Sequence, residues 1–296
     1  MDDNNQEVTG LMAKVSEITI YPVKSLRGIA VSEALITAEG LAFDRRWMVT
    51  TASGQFLTQR QCPAMATIAT ALTEGSLVLT SADGQTLRLS LEYPQGNPDP
   101  VIIFGKACSG IDVGDEAAAW LTAVLGKHKG ESLRLKCVPE NNTRRVEPEI
   151  LGDTIAYTGF ADGYPFLIGS ASSLEALNER LHAESVTQVT NVPINRFRPN
   201  VVIEGAPAFA EHRHGLLRHQ KSNYALRLCK PCKRCKITTV DQYTGAMPEP
   251  KEPLRTLAQM THIADAGAFF GENAIVETGV GQYIRIGDGV IFEGER

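Results

Sequence analysis

Alternating apolar and polar residues mark much of the first half of the chain as short β-strands. The segments VSEITIYPV and IAVSEALIT show this alternation, and DRRWMVTT follows them. A period of two residues is typical of strands that bury one face. SLVLTSADGQTLRLSL repeats the pattern on both sides of the turn dipeptide Asp83-Gly84 and predicts a hairpin. Strands of this length and spacing predict a β-barrel or a sandwich.

Two segments change to the spacing of an amphipathic helix. DEAAAWLTAVLGK places apolar residues on one face, and we expect Asp115 to cap its start and Gly126 to end it. SSLEALNERLHAE has a stripe of leucines at positions 174, 177 and 181. Residues at this spacing share one face of a helix, so the stripe predicts a buried face.

The second half returns to strands, which gives the fold class and the domain division. PNVVIEG, YALRL and KITTV are short and β-rich, and QYIRIGDGVIF predicts a closing hairpin around residues 287–289. The polar stretch ENNTRRVEPEILGDT predicts the joint between two domains. We therefore expect an α+β, mainly β fold. It has an N-terminal β-barrel-like domain over 14–130, a C-terminal β-barrel domain with a few helices over 150–296, and a flexible tail over 1–13.

Composition excludes several classes of function. The chain has 296 residues, a net charge of −5 and a pI near 5.8. An acidic protein without an aromatic-rich basic surface is not expected to bind nucleic acid. We expect no membrane association, because the sequence contains no run of eighteen apolar residues. The start, MDDNNQEV, lacks the basic and apolar parts of a signal peptide, so we expect a cytoplasmic location.

The stretch LCKPCKRCKITTVDQYTG carries the most informative chemistry. Three of the six cysteines fall within it, at positions 229, 232 and 235, and four cations separate or follow them. Neighbouring cations favour the thiolate form, which is the form that ligates metals or attacks. In the reducing cytoplasm, such a cluster favours metal binding or chemistry over a structural disulfide.

Residue spacing alone leaves several roles open for these thiols. A ferredoxin-type iron–sulfur motif requires a fourth cysteine where this chain has Thr239, and structural zinc usually requires a second ligand pair. Cys229 ends an apolar run and is expected to be a buried small hydrophobe. For Cys232 and Cys235, the cations favour a soft-metal ligand at the entrance of the strand KITTV, and a solvated loop is the alternative.

Two further polar motifs receive structural interpretations. HRH at 212–214 suggests a metal site, but no third ligand is spaced for it, so we expect an exposed loop. Asp241 is expected to accept hydrogen bonds from the backbone of the turn DQYTG, since aspartate side chains commonly close such turns.

Several blocks together resemble the MOSC-domain family. PCKRCKITTVDQYTG resembles the MOSC signature, and YPVKSLRG with GLAFDRRWMV resembles the β-barrel domain that precedes MOSC in one branch. NRFRPNVVIEG and KEPLRTLA are similar to further blocks, so the resemblance runs from about residue 14 to 296. That branch contains the amidoxime-reducing components and YcbX-type proteins, which bind molybdenum cofactor and reduce N-hydroxylated compounds.

The resemblance implies a role for individual residues. Cys235 is implied to be the metal ligand and the catalytic residue. Arg45 and Arg46 are adjacent and are expected to face opposite ways, with Arg45 favoured for the site. The other positions are implied to bind the phosphate or the pterin of the cofactor, and they are Lys24, Ser25, Arg45, Asp162, Gly163, Tyr164, Arg198, Asn200, Lys233 and Arg234.

The implied function is a molybdenum-dependent reductase of N-hydroxylated or N-oxygenated compounds. YcbX-type chains continue into a ferredoxin domain that this sequence does not contain, so we expect electrons to come from a separate ferredoxin- or flavoprotein-type donor. A carrier that delivers molybdenum cofactor or sulfur without redox turnover is the alternative function. A zinc or iron–sulfur module that binds a partner is a third.

Overall fold

A computed structural model describes residues 10–184, 191–260 and 262–296 as a mainly β protein with four α-helices. The strands are β1 (Leu11–Ile20), β2 (Ile29–Val31), β3 (Glu33–Thr37), β4 (Gly40–Leu41), β5 (Trp47–Thr51), β6 (Ala69–Thr73), β7 (Ser76–Thr80), β8 (Thr86–Ser90), β9 (Asp99–Ile103), β10 (Lys106–Asp112), β11 (Leu133–Cys137), β12 (Phe166–Ser170), β13 (Val201–Glu204), β14 (His214–His219), β15 (Ala225–Lys233), β16 (Phe269–Thr278), β17 (Tyr283–Arg285) and β18 (Gly289–Glu295). The α-helices are α1 (Asp115–Leu125), α2 (Pro148–Leu151), α3 (Ala171–Glu184) and α4 (Leu254–Gln259). None of the helices in this part of the chain is long and apolar enough to cross a membrane.

Seven strands close into a β-barrel. The sheet runs in the order β13-β12-β16-β15-β14-β18-β1, and β13 also pairs with β1 to complete the circle. The closing pair is antiparallel and matches Ile18 with Val201. Alternate residues of these strands fill the interior, which contains Ile168, Leu226 and Phe292. Closure leaves the barrel strands without free edges, which removes sites for unwanted strand pairing.

A second β unit forms from the middle of the first half. It contains the sheet β5-β11-β10-β9 and the three-stranded meander β6-β7-β8. Helix α1 covers a shared apolar core through Ala117 and Leu121, which pack with Trp47 of β5. The hairpin expected at Asp83-Gly84 joins β7 to β8. Asp115 is the first residue of α1, while Gly114 occupies the capping position and no side chain caps the helix.

Strands from the first half of the chain pair with strands from the second half. Strand β1 lies in the barrel between β18 and β13, and β3 pairs with β17 near the C-terminus. Strand β1 begins at Leu11, inside the segment expected to be a tail, while residues 1–9 lie outside the described part. The domain limits expected from the sequence stay a prediction.

Two local expectations were wrong. KITTV is not a strand: residues Lys236–Thr239 form a turn of 3₁₀ helix. QYIRIGDGVIF is not a hairpin, because β17 pairs with β3 whereas β18 pairs with β1 and β14. Both segments have the composition of strands. Contacts with the rest of the fold, rather than residue propensity, decide whether a segment forms a strand and which strand it pairs with.

Candidate functional site

One pocket between the barrel and the second β unit is lined by every residue that the sequence suggested for the site. Strand β1 ends and strands β5, β12 and β13 begin near it, and the loop after β15 contributes the rest of its lining. Loops that follow strand ends are free to present polar side chains to a cavity. The suggested residues that line it are Lys24, Ser25, Arg45, Asp162, Gly163, Tyr164, Arg198, Asn200, Lys233, Arg234 and Cys235.

Three of these pocket residues have left-handed backbone conformations. Ser25, Arg45 and Arg198 have φ values of 69°, 47° and 56°. Non-glycine residues rarely adopt positive φ, because the Cβ atom approaches the following carbonyl oxygen. Such strain persists only where the surrounding contacts over-determine it, and it concentrates at functional sites. Three of the eight non-glycine residues with positive φ in the described part of the chain therefore line this pocket, which supports a functional role for it.

Lys24 places a buried ammonium group at one end of the pocket. Its side chain is about 5% exposed, and Nζ donates to the carbonyl oxygen of Phe160 at 2.8 Å and to the carboxylate of Asp162. Burial lowers the pKa of Lys24, and Asp162 opposes that change by favouring the charged form. Burial raises the pKa of Asp162, but the adjacent ammonium outweighs it and lowers the pKa to about 2. Asp162 is therefore a carboxylate at neutral pH and supplies an acceptor for the Lys24 ammonium.

Arg198 supplies a second buried cation with an unused donor. Nη1 donates to Oε1 of Gln242 at 2.9 Å, and the guanidinium lies 4.2 Å from the centroid of the Tyr21 ring. Nη2 is buried and has no hydrogen-bond partner. Desolvation lowers the pKa of Arg198 to about 10, which leaves it charged at neutral pH. A buried donor without a partner is costly, so this N–H group is expected to meet an acceptor on a ligand.

Arg45 connects the two halves of the pocket. Nη1 donates to Oδ2 of Asp44 at 2.5 Å and to Oδ1 of Asn200 at 2.9 Å, and Nη2 donates to the Arg198 carbonyl at 3.2 Å. Arg46 points elsewhere, over the Tyr93 ring at 3.8 Å. The two arginines thus face opposite ways, although they precede β5 rather than lie on it. Asn200 is fully engaged by Arg45 and by backbone groups of Thr19 and Leu167.

Cys235 provides the thiol of the pocket. It precedes the 3₁₀ turn, and its carbonyl accepts the Thr238 N–H at 3.1 Å, which fixes the loop. Arg234 is held beside it: Nη2 donates to the Phe197 carbonyl at 2.7 Å and Nη1 to Cys232 Sγ at 2.8 Å. Cys232 also lines the pocket. Its sulfur therefore accepts a hydrogen bond that orients a cation next to Cys235.

Two buried glutamines support the pocket and were missed by the sequence analysis. Gln59 and Gln242 exchange amide hydrogen bonds of 3.0 and 2.9 Å across the two halves of the chain. Gln59 also donates to the Ser25 carbonyl at 2.8 Å, while Gln242 accepts from Arg198. They hold two of the strained residues in place. A lone glutamine in a polar stretch carries no signal that would single it out.

The remaining cysteine of the cluster and the turn after it have structural roles. Cys229 does not line the pocket, packs partly buried beside Tyr164 and Ile275, and has a pKa raised to about 11 by burial. Oδ1 of Asp241 accepts the backbone N–H groups of Tyr243 and Thr244 at 3.0 and 2.9 Å. The structural interpretation of Asp241 is confirmed, and Cys229 packs against apolar residues but is partly rather than fully buried.

The interpretation of HRH as an exposed loop was wrong. The side chain of His212 is 1% exposed, and Nδ1 lies 2.8 Å from Oε2 of the buried Glu272. Arg296 contacts the other oxygen of Glu272 at 3.0 Å, and His214 begins strand β14. The polar sequence of this segment gave no indication that His212 pairs with Glu272 in the interior. A histidine that hydrogen-bonds to a carboxylate can be buried at little cost.

The alternative uses of the cysteines find little support in the geometry. All six cysteines are free thiols. Within residues 10–184, 191–260 and 262–296, no three His, Cys, Asp or Glu side chains converge in a way that could hold a metal ion. A zinc or iron–sulfur site built from protein ligands alone therefore lacks its ligand set in this part of the chain.

The donor set fits a group that is anionic at one end and soft-metal-binding at the other. Lys24, Arg45 and Arg198 offer cationic donors, one of them unused, and a phosphate prefers such partners. Cys235 offers one thiol, which as a thiolate is a ligand that soft metals prefer.

Comparisons with known proteins identify the family of this chain. Residues 12–128 match the MOSC N-terminal beta barrel domain, and residues 157–291 match the MOSC domain. The chain is 34% identical to mitochondrial amidoxime-reducing component 1 of Mus musculus, with 95% of this chain and 82% of that protein covered. It is 36% identical to the Homo sapiens protein of the same name, covering 82% and 70%. A molybdenum cofactor sulfurase of Oryza sativa is 28% identical over 86% of this chain but only 32% of its own length.

Proposed function

Because the chain belongs to the family of proteins that combine a MOSC N-terminal β-barrel domain with a MOSC domain, we propose that it is a molybdenum-cofactor-dependent reductase of N-hydroxylated compounds. Relatives named amidoxime-reducing components support an oxidoreductase of this substrate class. The observation that carries the proposal is the single pocket that unites Cys235, the three buried or half-buried cations and an unused Arg198 donor.

Each end of the pocket has its own task in this proposal. Lys24, Ser25 and Arg45 would hold the cofactor phosphate, and Arg198 would direct its unused N–H at the pterin ring. Cys235 would ligate the molybdenum, and Arg234 would stay beside it through its bonds to Phe197 and Cys232. When bound, the cofactor would supply the metal that takes oxygen from the N–O bond and passes on electrons. The net reaction consumes two electrons and two protons and releases one water.

Metal analysis of matched cysteine variants tests the proposal. We expect near-stoichiometric molybdenum in the protein from a cofactor-sufficient host, its loss in Cys235→Ser and its retention in Cys229→Ser. Cys229 is a matched control because it belongs to the same cluster but lies outside the pocket. Zinc or iron that disappears in both variants would instead indicate a structural metal site.

Activity separates an enzyme from a binding protein. Loaded wild-type protein with a chemical reductant should convert benzamidoxime to benzamidine, and Cys235→Ser should not. Full activity in Cys235→Ser would overturn the assignment of the ligand. Donor specificity is a separate question, for which a ferredoxin-type and a flavoprotein-type donor would each be supplied.

A carrier of molybdenum cofactor or sulfur is the second candidate function. The similarity to a molybdenum cofactor sulfurase supports it, because that relative matches over most of this chain. A carrier would bind molybdenum through the same residues, fail to reduce any N–O compound, and pass its cofactor to an apo-acceptor enzyme. Turnover of benzamidoxime by the loaded protein would exclude it. A cytoplasmic location stays a prediction, since the named relatives are mitochondrial proteins.

A further inference from the structure

A second cavity of about 870 Å³ adjoins the candidate site, and we call it the side groove. It runs between the hairpin of β9 and β10 and the loop 139–148, and it shares Asp162 and Gly163 with the first pocket. Its volume lies within the range of cavities that hold small organic ligands. The Lys24–Asp162 ion pair marks the junction of the two cavities.

The hairpin presents an aromatic ring to this groove at a conformational cost. Phe104 and Gly105 connect β9 to β10, with φ values of 49° and 78°. Two-residue turns with positive φ at both positions strongly favour asparagine, aspartate or glycine, and a bulky residue there is an outlier. Phe104 is nevertheless 46% exposed, so core packing does not account for its choice. An exposed ring held in a strained backbone points to a contact with a ligand.

Neighbouring groups define the face of the ring. The Phe56 ring packs edge-on against Phe104, with centroids 4.9 Å apart, and the Arg60 guanidinium lies 4.8 Å from the centroid of Phe104. The Lys24 ammonium also lies over this ring, 5.6 Å from its centroid, and 46% of Phe104 remains exposed. Apolar side chains of Ile103 and Ile111 line the groove beyond it. A planar apolar group can therefore stack on Phe104 and bury its edges.

Charged groups give the groove an excess of unused positive charge. Arg144 donates hydrogen bonds to the carbonyls of Gly159, Ala161 and Asp162, and Glu147 pairs with Lys230. Lys106 and Arg145 also line the groove, and among the described residues neither has an ion-pair partner. Glu140 is the one acid lining the groove that has no partner within those residues. Two free cations against one free anion favour an anionic ligand.

We propose that the side groove binds a planar aromatic anion next to the cofactor pocket. Such a ligand has two chemical sources: the remote part of an aromatic substrate that carries a carboxylate, or a nucleotide joined to the phosphate of an extended cofactor. The binding itself is independent of the proposed reduction, whereas its use by a substrate rests on that function.

Direct binding to purified protein tests the site without any turnover. The probes are 2-naphthoate with its neutral counterpart 2-naphthalenemethanol, and 5′-cytidine monophosphate with cytidine, measured by titration calorimetry. We expect at least one anion to bind ten-fold or more tightly than its neutral counterpart. Lys106→Glu/Arg145→Glu should weaken the binding of that anion ten-fold or more. Lys127 is an exposed lysine outside the groove, so Lys127→Glu should leave the affinity unchanged.

Phe104→Asn tests whether the aromatic ring contributes to ligand binding rather than to the stability of the fold. Asparagine suits the turn better than phenylalanine, so we expect an equal or higher unfolding midpoint together with a ten-fold loss of probe affinity. Equal affinity of the anions for wild type and for the double charge variant, or no binding below millimolar concentration, would overturn the proposal.

Two further measurements distinguish an aromatic substrate from a nucleotide as the ligand of the side groove. A substrate site predicts a lower KM for 4-carboxybenzamidoxime than for benzamidoxime, with the difference lost in Lys106→Glu/Arg145→Glu. A nucleotide site predicts tight binding of 5′-cytidine monophosphate, equal KM values for the two amidoximes, and nucleotide released from the denatured holoprotein. Inactivity of the loaded protein towards both amidoximes would count against the proposed function and leave the binding result intact.

Discussion

The Arg45 guanidinium donates to the side-chain oxygen of Asn200 at 2.9 Å and thereby joins two halves of the chain that lie 155 residues apart. The same oxygen accepts the Leu167 N–H at 3.1 Å, and the Asn200 amide donates to the Thr19 carbonyl at 3.3 Å. Asn200 is 1% exposed, so each of these bonds forms away from water. One amide therefore holds β1, β12 and an arginine of the pocket in a fixed relation.

Asn200→Leu should destabilise the protein by roughly 2–3 kcal/mol, because it leaves buried donors and an acceptor without partners. Urea unfolding measures this change, and Asn223→Leu at an exposed position is the control, with an expected change near zero. Arg45→Met should cost less after Asn200→Leu than in the wild type, because the two residues share a bond. Strict additivity of the two losses would show that the Arg45–Asn200 contact contributes nothing.

Tyr21 should make the protein sensitive to alkali. Burial raises the pKa of its phenol to about 12, while Arg198 and Arg45 oppose that change. An unfolded tyrosine titrates near pH 10, so above that pH the unfolded state loses a proton that the folded state keeps. Stability is therefore fully present below pH 10 and falls by about 2–3 kcal/mol as the pH rises to 12.

Tyr21→Phe removes this titration and also the hydrogen bond to the Pro199 carbonyl at 3.1 Å. We expect the variant to be less stable than wild type at pH 8 and the difference to shrink between pH 10 and 12. The comparison is made as a difference because burial also raises the pKa values of Tyr164 and Tyr224. A difference that stays constant with pH would contradict the shifted titration.

The sequence predicted a mainly β fold with a barrel, which is confirmed, and it named residues that line one pocket, but it missed local strand pairing and supporting contacts. Short motifs containing Lys24, Arg198 and Cys235 named the pocket residues, because family motifs preserve chemistry. Gln59 lies in none of these blocks, and Gln242 lies in DQYTG without a role that the resemblance implies; their contact joins residues 183 apart in the chain. KITTV has the composition of a strand, yet the loop bends into a 3₁₀ turn after Cys235, a choice that tertiary contacts make.

His212→Leu should show that the HRH segment is structural. It removes one partner of the fully buried Glu272, which then keeps only Arg296. A buried carboxylate with incomplete pairing is strongly destabilising, and we expect a loss of roughly 3 kcal/mol in urea unfolding. His214→Leu is the matched control: on a half-buried residue it removes a bond to the Ala210 carbonyl and a ring contact with Phe292, but no carboxylate partner. Equal losses for the two variants would refute a special role for the His212–Glu272 pair.

Lys24 offers the sharpest test of whether the pocket residues bind the cofactor or only each other. Lys24→Ala should lower molybdenum content more than ten-fold and also destabilise the fold, because the buried Phe160 carbonyl loses its ammonium donor. Lys24→Ala/Asp162→Asn removes both charges, and because the Asp162 side chain is 64% exposed, its stability should stay close to that of Lys24→Ala. If Lys24 contacts the cofactor phosphate, molybdenum content stays low in this double variant.

Recovery of molybdenum in the double variant would mean that Lys24 serves only as the partner of Asp162. Lys136 provides the matched control, because it is also a buried lysine with two carboxylate partners, Asp99 at 2.6 Å and Asp112 at 3.0 Å, but lies outside the pocket. Lys136→Ala should therefore lower the unfolding midpoint while molybdenum per folded protein stays at the wild-type value. Stability and cofactor content would then respond to separate groups of residues, as expected when a cationic end of the pocket recognises an anion.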